Sequence, residues 1–172
     1  AGTVNVYNNT VYNVQSAGGT KIAIGIRAAD RSGSTANVKN NIVAGLVSAA
    51  SNGERAYEHG AANGGSGTLN EAYNLSDDTS ATAYDASGTG SLIDKSLAQI
   101  DFVSTVAGSE DLHLDTDSVC REAGVDLGTT NGVNIDIDQV DRDATGVTWD
   151  MGADQASTAE ASGSPAFMMF LD

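Results

Sequence analysis

Apolar and polar positions alternate over residues 3–14, TVNVYNNTVYNV. Val4 and Val6 share one face, and Val11 and Val14 follow beyond Asn8-Asn9. Period-two alternation of Val and Tyr predicts strand. The paired Asn predict a tight corner, because Asn tolerates left-handed backbone better than any residue but Gly. Ser16 to Thr20 reads as a loop. Residues 21–28, KIAIGIRA, put Ile22, Ile24 and Ile26 on one face of a second strand, and Asp30 to Ser34 form a polar turn.

The first pattern then returns. Asn37-Val38-Lys39-Asn40-Asn41-Ile42-Val43 repeats Asn5-Val6-Tyr7-Asn8-Asn9-Thr10-Val11, a constant offset that carries Asn5 onto Asn37 and Asn9 onto Asn41. A weaker third copy, Glu71-Ala72-Tyr73-Asn74-Leu75, places Asn74 where Asn41 recurs after nearly the same interval. Repeats of one or two strands, with a corner Asn and variable loops, are the pattern of a stacked repeat architecture. In such a stack like residues lie over one another at roughly 4.8 Å, so corner Asn side chains can hydrogen-bond along the pile. The coil V-x-V-x-N-N-T-V-Y-N resembles those of right-handed parallel β-helix repeat proteins.

Residues 45–68 and 76–91 are rich in Gly, Ser, Ala, Asp and Asn and are expected as loops leaving the stack. Within the first, Glu54-Arg55-Ala56-Tyr57-Glu58-His59-Gly60 reads as a solvated loop, since it lacks a second His or metal-ligand spacing. Asp77-Asp78 is similar to the paired acids of polygalacturonase-like β-helices, but Glu58-His59-Gly60 precedes the acids and no basic motif follows.

Further on, Phe102-Val103 and Gly108-Ser109-Glu110-Asp111-Leu112-His113-Leu114 resemble the segment before the final coil of β-helix proteins. Asp136-Ile137-Asp138, Asp141-Arg142 and Trp149-Asp150-Met151-Gly152-Ala153-Asp154 resemble the closing segment itself, D-x-D-G-x-x-R followed by x-D-I-G-A-D-E. Gln139 stands where that family commonly has Gly. Ser118 to Gly124 keeps the Ala-Gly frame of the family's S-P-A-I-D-A-G but lacks its Pro and Asp. The expected fold is therefore all-β, the C-terminal coils and cap of a right-handed parallel β-helix. Its parts are coils with long loops at 1–94, last coils and cap at 95–155, and a linker with an apolar tail at 156–172. The chain opens directly in a strand, so it is read as the C-terminal piece of something longer.

Candidate chemistry is sparse. His113, between Leu112 and Leu114, reads as a structural histidine on the outward face of a strand. The acids of the closing run read first as a structural turn, with Arg142 pairing to one of them. The second reading is a Ca²⁺ site at Asp136, Asp138, Asp141 and Asp143, because Ca²⁺ takes six to eight hard oxygens. No other cofactor is indicated. Trp149 is expected to seal the open end of the stack as an apolar plate. The cluster Phe167, Met168, Met169, Phe170 and Leu171 is too short to span a bilayer and reads as an oligomer interface.

Composition narrows the partners. Eight Lys and Arg stand against 23 Asp and Glu, a net charge of −15. That excludes the clustered cations nucleic acid needs and argues against docking on an anionic membrane. The one Cys, Cys120, rules out an internal disulfide framework and reads as a buried thiol. Among β-helix proteins are surface and secreted proteins, phage spikes and fibres, virion decoration proteins and polysaccharide lyases, and fold does not choose among them. The expectation is a non-enzymatic structural or adhesive module of a virion or cell surface. It is expected to be homo-oligomeric, with a trimer favoured from the phage resemblance. The alternative is a secreted polysaccharide-binding or lyase-like protein, for which only Arg27, Arg31, Lys39 and Arg55 offer cations near the coils, with a glycan as ligand.

Overall fold

The computed structural model describes residues 2–17, 22–28, 32–48, 53–59, 66–77, 85–145 and 148–156. The expected tail interface at Phe167, Met168, Met169, Phe170 and Leu171 lies outside them, as do Arg31, Asp78 and the linker beyond Ala156. Among the described residues the fold is all-β, with one single-turn α-helix, α1 (Leu97–Ile100). The strands are β1 (Thr3–Tyr7), β2 (Thr10–Tyr12), β3 (Gln15–Ser16), β4 (Ala23–Ala28), β5 (Thr35–Lys39), β6 (Ile42–Ala44), β7 (Val47–Ser48), β8 (Glu54–His59), β9 (Thr68–Ala72), β10 (Leu75–Ser76), β11 (Phe102–Ser104) and β12 (Asp111–Leu114).

The sequence repeat is the register of the sheets. β1, β5 and β9 pair in parallel, Asn5 against Asn37 and Asn37 against Asn70. β2, β6 and β10 do the same, Thr10 against Ile42 and Ile42 against Leu75. β3 pairs with β7, and β4 with β8. A further short pass adds a parallel bridge between Leu75 and Leu92.

Each pass turns its corner at one residue with left-handed backbone: Asn8 (φ 54°), Asn40 (φ 56°) and Tyr73 (φ 54°). The residue after each corner builds a ladder. The Asn9 amide donates to Asn41 Oδ1 at 2.9 Å, and the Asn41 amide donates to Asn74 Oδ1 at 3.0 Å. The same Asn41 amide reaches the carbonyls of Val6 and Lys39, and the Asn74 amide reaches that of Val38. A buried amide that satisfies its donors and acceptor is what allows so polar a residue to sit at 0 % exposure. A second ladder, Asn5–Asn37–Asn70, runs on the exposed side.

Two apolar clusters follow from strand alternation. Val38, Val43, Ile26, Ala28, Ala36, Ala56 and Tyr57 meet on one side of the β2–β6–β10 sheet. Ile42, Ala44 and Leu75 point out of its other side, against Ile100, Phe102, Leu114, Cys120 and Met151. That sheet is therefore covered on both faces, which explains the unbroken apolar run Ile42-Val43-Ala44. Gly25 lets β4 come close to β6, since a Cβ there would lie 2.3 Å from a Val43 methyl.

Two sequence expectations need correction here. Residues 45–68 are not one loop, because they contain β7 and β8. In β8, Ala56, Tyr57 and Glu58 are buried, and the Tyr57 hydroxyl lies 2.9 Å from the carbonyls of both Asn41 and Leu75. The charges of Glu54, Arg55 and Glu58 disguise the strand, yet Glu58 is neutralised by Arg55 at 2.6 Å and Arg27 at 3.8 Å. Trp149, expected as an apolar plate on the core, is buried outside both apolar clusters, beside the Arg142 guanidinium. The closing segment lies along the corners of successive passes. Asn8 donates to the Val133 carbonyl, Asn40 exchanges two hydrogen bonds with Val125, and Gly152 packs on Thr10 and Ile42.

Candidate functional site

The closing segment is built around Arg142, whose side chain is fully buried. Its guanidinium donates to the carbonyls of Asp150 (3.3 Å), Asp154 (3.1 Å) and Gly152 (2.9 Å), and to Gln155 Oε1 (3.4 Å). The Trp149 ring lies 5.9 Å from the cation, and its indole N–H donates to Asp143. Burial lowers the Arg142 pKa, and the nearby charges of Asp136, Asp150 and Asp154 oppose that shift. Carbonyls and an amide oxygen thus take these hydrogen bonds, while Asp136, Asp150 and Asp154 act on Arg142 through their charge. A fork of five donors matches a loop that would otherwise bury its carbonyls unpaired.

The four acids Asp136, Asp138, Asp141 and Asp143 are not gathered into one Ca²⁺ site. Asp136 turns inward, its Oδ1 accepting the N–H groups of Asp138 (2.9 Å) and Val140 (2.7 Å) and its Oδ2 that of Gln155 (3.2 Å). Asp141 accepts from the Asn134 amide and the Asp143 N–H. Asp143 serves Trp149. Short carboxylates in a tight loop satisfy the loop's own donors first. Gln139 sits at the left-handed corner (φ 67°) between Asp138 and Val140, the conformation Gly would favour.

Asp138 instead faces across to β12. There, Asp111 and His113 sit two residues apart, so both side chains project from the same face of the strand. The Asp111 carboxylate is bonded to His113 Nδ1. On the ring's other side, Nε2 lies 3.1 Å from Asp138 Oδ2. Donor atoms of His113, Asp138 and Asp154 all lie within 4.8 Å of one another, the only such trio of acidic, His or Cys residues among the described residues. Asp154 is held there by the Leu114 N–H at 2.9 Å. These residues border an open cleft of about 330 Å³ that Val103, Val140 and Arg121 also line.

The electrostatics follow from these contacts. Asp111 raises the His113 pKa; burial opposes this, and Asp138 and Asp154 add to the rise. The bond to His113 lowers the Asp111 pKa. Burial raises that of Asp154, against the pull of the Leu114 N–H and His113. Cys120 does not line this cleft, and burial pushes its thiol up to about 12, above the range of reactive thiolates.

Sequence reasoning placed His113 on a strand but missed Asp111 and Asp154 as its neighbours. The D-x-H spacing within a strand was the available signal for the first. Nothing local signals the second, which belongs to a different and much later segment of the chain. Comparison with protein-family models, curated proteins and solved structures finds no match for this chain. No helix among the described residues is long and apolar enough to cross a membrane.

Proposed function

We propose that the chain is the C-terminal part of a right-handed parallel β-helix and serves as a non-enzymatic structural or adhesive module of a virion or cell surface. One observation carries this reading: three successive passes pair in parallel and in register, locked by the Asn9–Asn41–Asn74 ladder, in which Asn41 and Asn74 are buried. A stack held this way resists bending and sliding, because a slip of register breaks every ladder contact at once. Rigidity of that kind suits a spacer or a display surface. The acidic surface favours solubility and repels nucleic acid and anionic lipid.

The polysaccharide-degrading alternative is weaker, because Arg27 and Arg55, two of the cations it would recruit, are drawn to the buried Glu58. In the favoured reading the apolar tail Phe167-Met168-Met169-Phe170-Leu171 joins copies of the chain, in a trimer by preference. Light scattering on the full chain and on a chain lacking residues 165–172 tests this. The expected result is a stable trimer that becomes monomeric on truncation. A monomer in both forms would sink the assembly role and turn attention to glycan binding.

A further inference from the structure

We propose that His113, Asp138 and Asp154 bind a single divalent transition-metal ion of the zinc class, which ties β12 to the closing segment. Three independent features of the geometry point there. First, one imidazole nitrogen and two carboxylates are the borderline donor set that Zn²⁺ and its first-row neighbours take, whereas Ca²⁺ and Mg²⁺ prefer all-oxygen shells. Two donor atoms bound to one tetrahedral ion at about 2.0–2.1 Å lie roughly 3.3 Å apart. His113 Nε2 and Asp138 Oδ2 are 3.1 Å apart.

Second, the ring is held as a metal ligand is held. Asp111 accepts a hydrogen bond from the Nδ1–H, which fixes the tautomer and leaves Nε2 unprotonated on the side of Asp138 and Asp154. A carboxylate behind the ligating histidine both orients the ring and raises its basicity.

Third, Nε2 is shut off from solvent and makes no well-aligned hydrogen bond, although Asp138 Oδ2 lies close by. Its ring axis does not align with Asp138 Oδ2 despite the short separation. Ligand atoms that converge on a common point between them have this relation, and atoms bonded to one another do not. The adjoining cleft leaves room for water in a remaining coordination position.

The location gives the ion a role. His113 belongs to β12, while Asp138 and Asp154 belong to the two arms of the closing segment, so one ion links three pieces of chain. Bound only by the folded form, it stabilises that form by mass action.

Calorimetric titration of the full chain, stripped with EDTA, with Zn²⁺ alone is the test, with Co²⁺ as an absorbing substitute. The expected result is one Zn²⁺ per chain, a tetrahedral-type Co²⁺ spectrum and a higher unfolding temperature with Zn²⁺. His113→Ala and Asp138→Ala should each weaken binding by at least about 100-fold, and Asp111→Asn by about 10–100-fold. The two ligand side chains are 42 % and 57 % exposed, so these variants remain folded, which circular dichroism checks. Absence of saturable Zn²⁺ binding would mean that only a proton occupies the gap and would overturn the proposal. So would binding unchanged in both ligand variants, or Ca²⁺ binding without a Co²⁺ spectrum.

Discussion

Single residues in this protein are read best through what surrounds them. Cys120 has Val119 and Ala123 close by in the chain, and that neighbourhood already suggested a buried thiol. The structure places it at 0 % exposure beneath Met151, with its pKa pushed up to about 12. Iodoacetamide at about pH 8 should therefore modify the native chain at least about 100-fold more slowly than the urea-unfolded chain, followed by mass spectrometry. Rapid labelling of the native chain would contradict the packing. His113 shows the opposite case. Its strand position was legible, but its two flanking leucines said nothing about the carboxylates that meet it across the cleft.

At the scale of elements, the strands of the repeats were legible because Val and Ile recur with period two and the Asn after each corner recurs at a nearly constant interval. β8 was not. Three of its six residues are charged, and an inward Glu balanced by two Arg is invisible to a hydrophobicity pattern. The inner ladder predicts a large and specific cost. Asn41→Ala removes its amide from the carbonyls of Val6 and Lys39, leaves the Asn9 N–H without its acceptor, and should lower stability by about 3 kcal/mol or more in urea unfolding. Asn37→Ala, in the outer ladder facing solvent, should cost no more than about 0.5 kcal/mol. Equal costs would show that the ladders carry no burial-dependent strength.

For the molecule as a whole, charge decides the response to pH. Burial raises the pKa of Asp150, against the N–H groups of Glu122 and Ala156 that favour its ionised form. A carboxyl with a raised folded pKa contributes stability that is complete below its unfolded value, about 3.9, and is lost as pH rises through the folded one. Net repulsion from a charge of −15 acts in the same sense. With EDTA present, thermal unfolding should therefore move to higher temperature as pH falls from about 7 toward about 4. Asp150→Asn should flatten that slope, and added salt should flatten it in both proteins. An opposite slope would mean that carboxylates stabilised by their native partners dominate.

The repeats, their offset, the Asn that recurs beside each corner and the all-β class were determined by the sequence alone, because each rests on spacing along a strand and needs no distant partner. Three things were decided only by the tertiary structure: the lateral seat of the closing segment, the carbonyl shell of Arg142, and the meeting of His113 with Asp138 and Asp154. Each joins side chains from segments whose approach depends on how the whole chain closes the outer face of the β2–β6–β10 sheet, and no local period records that approach.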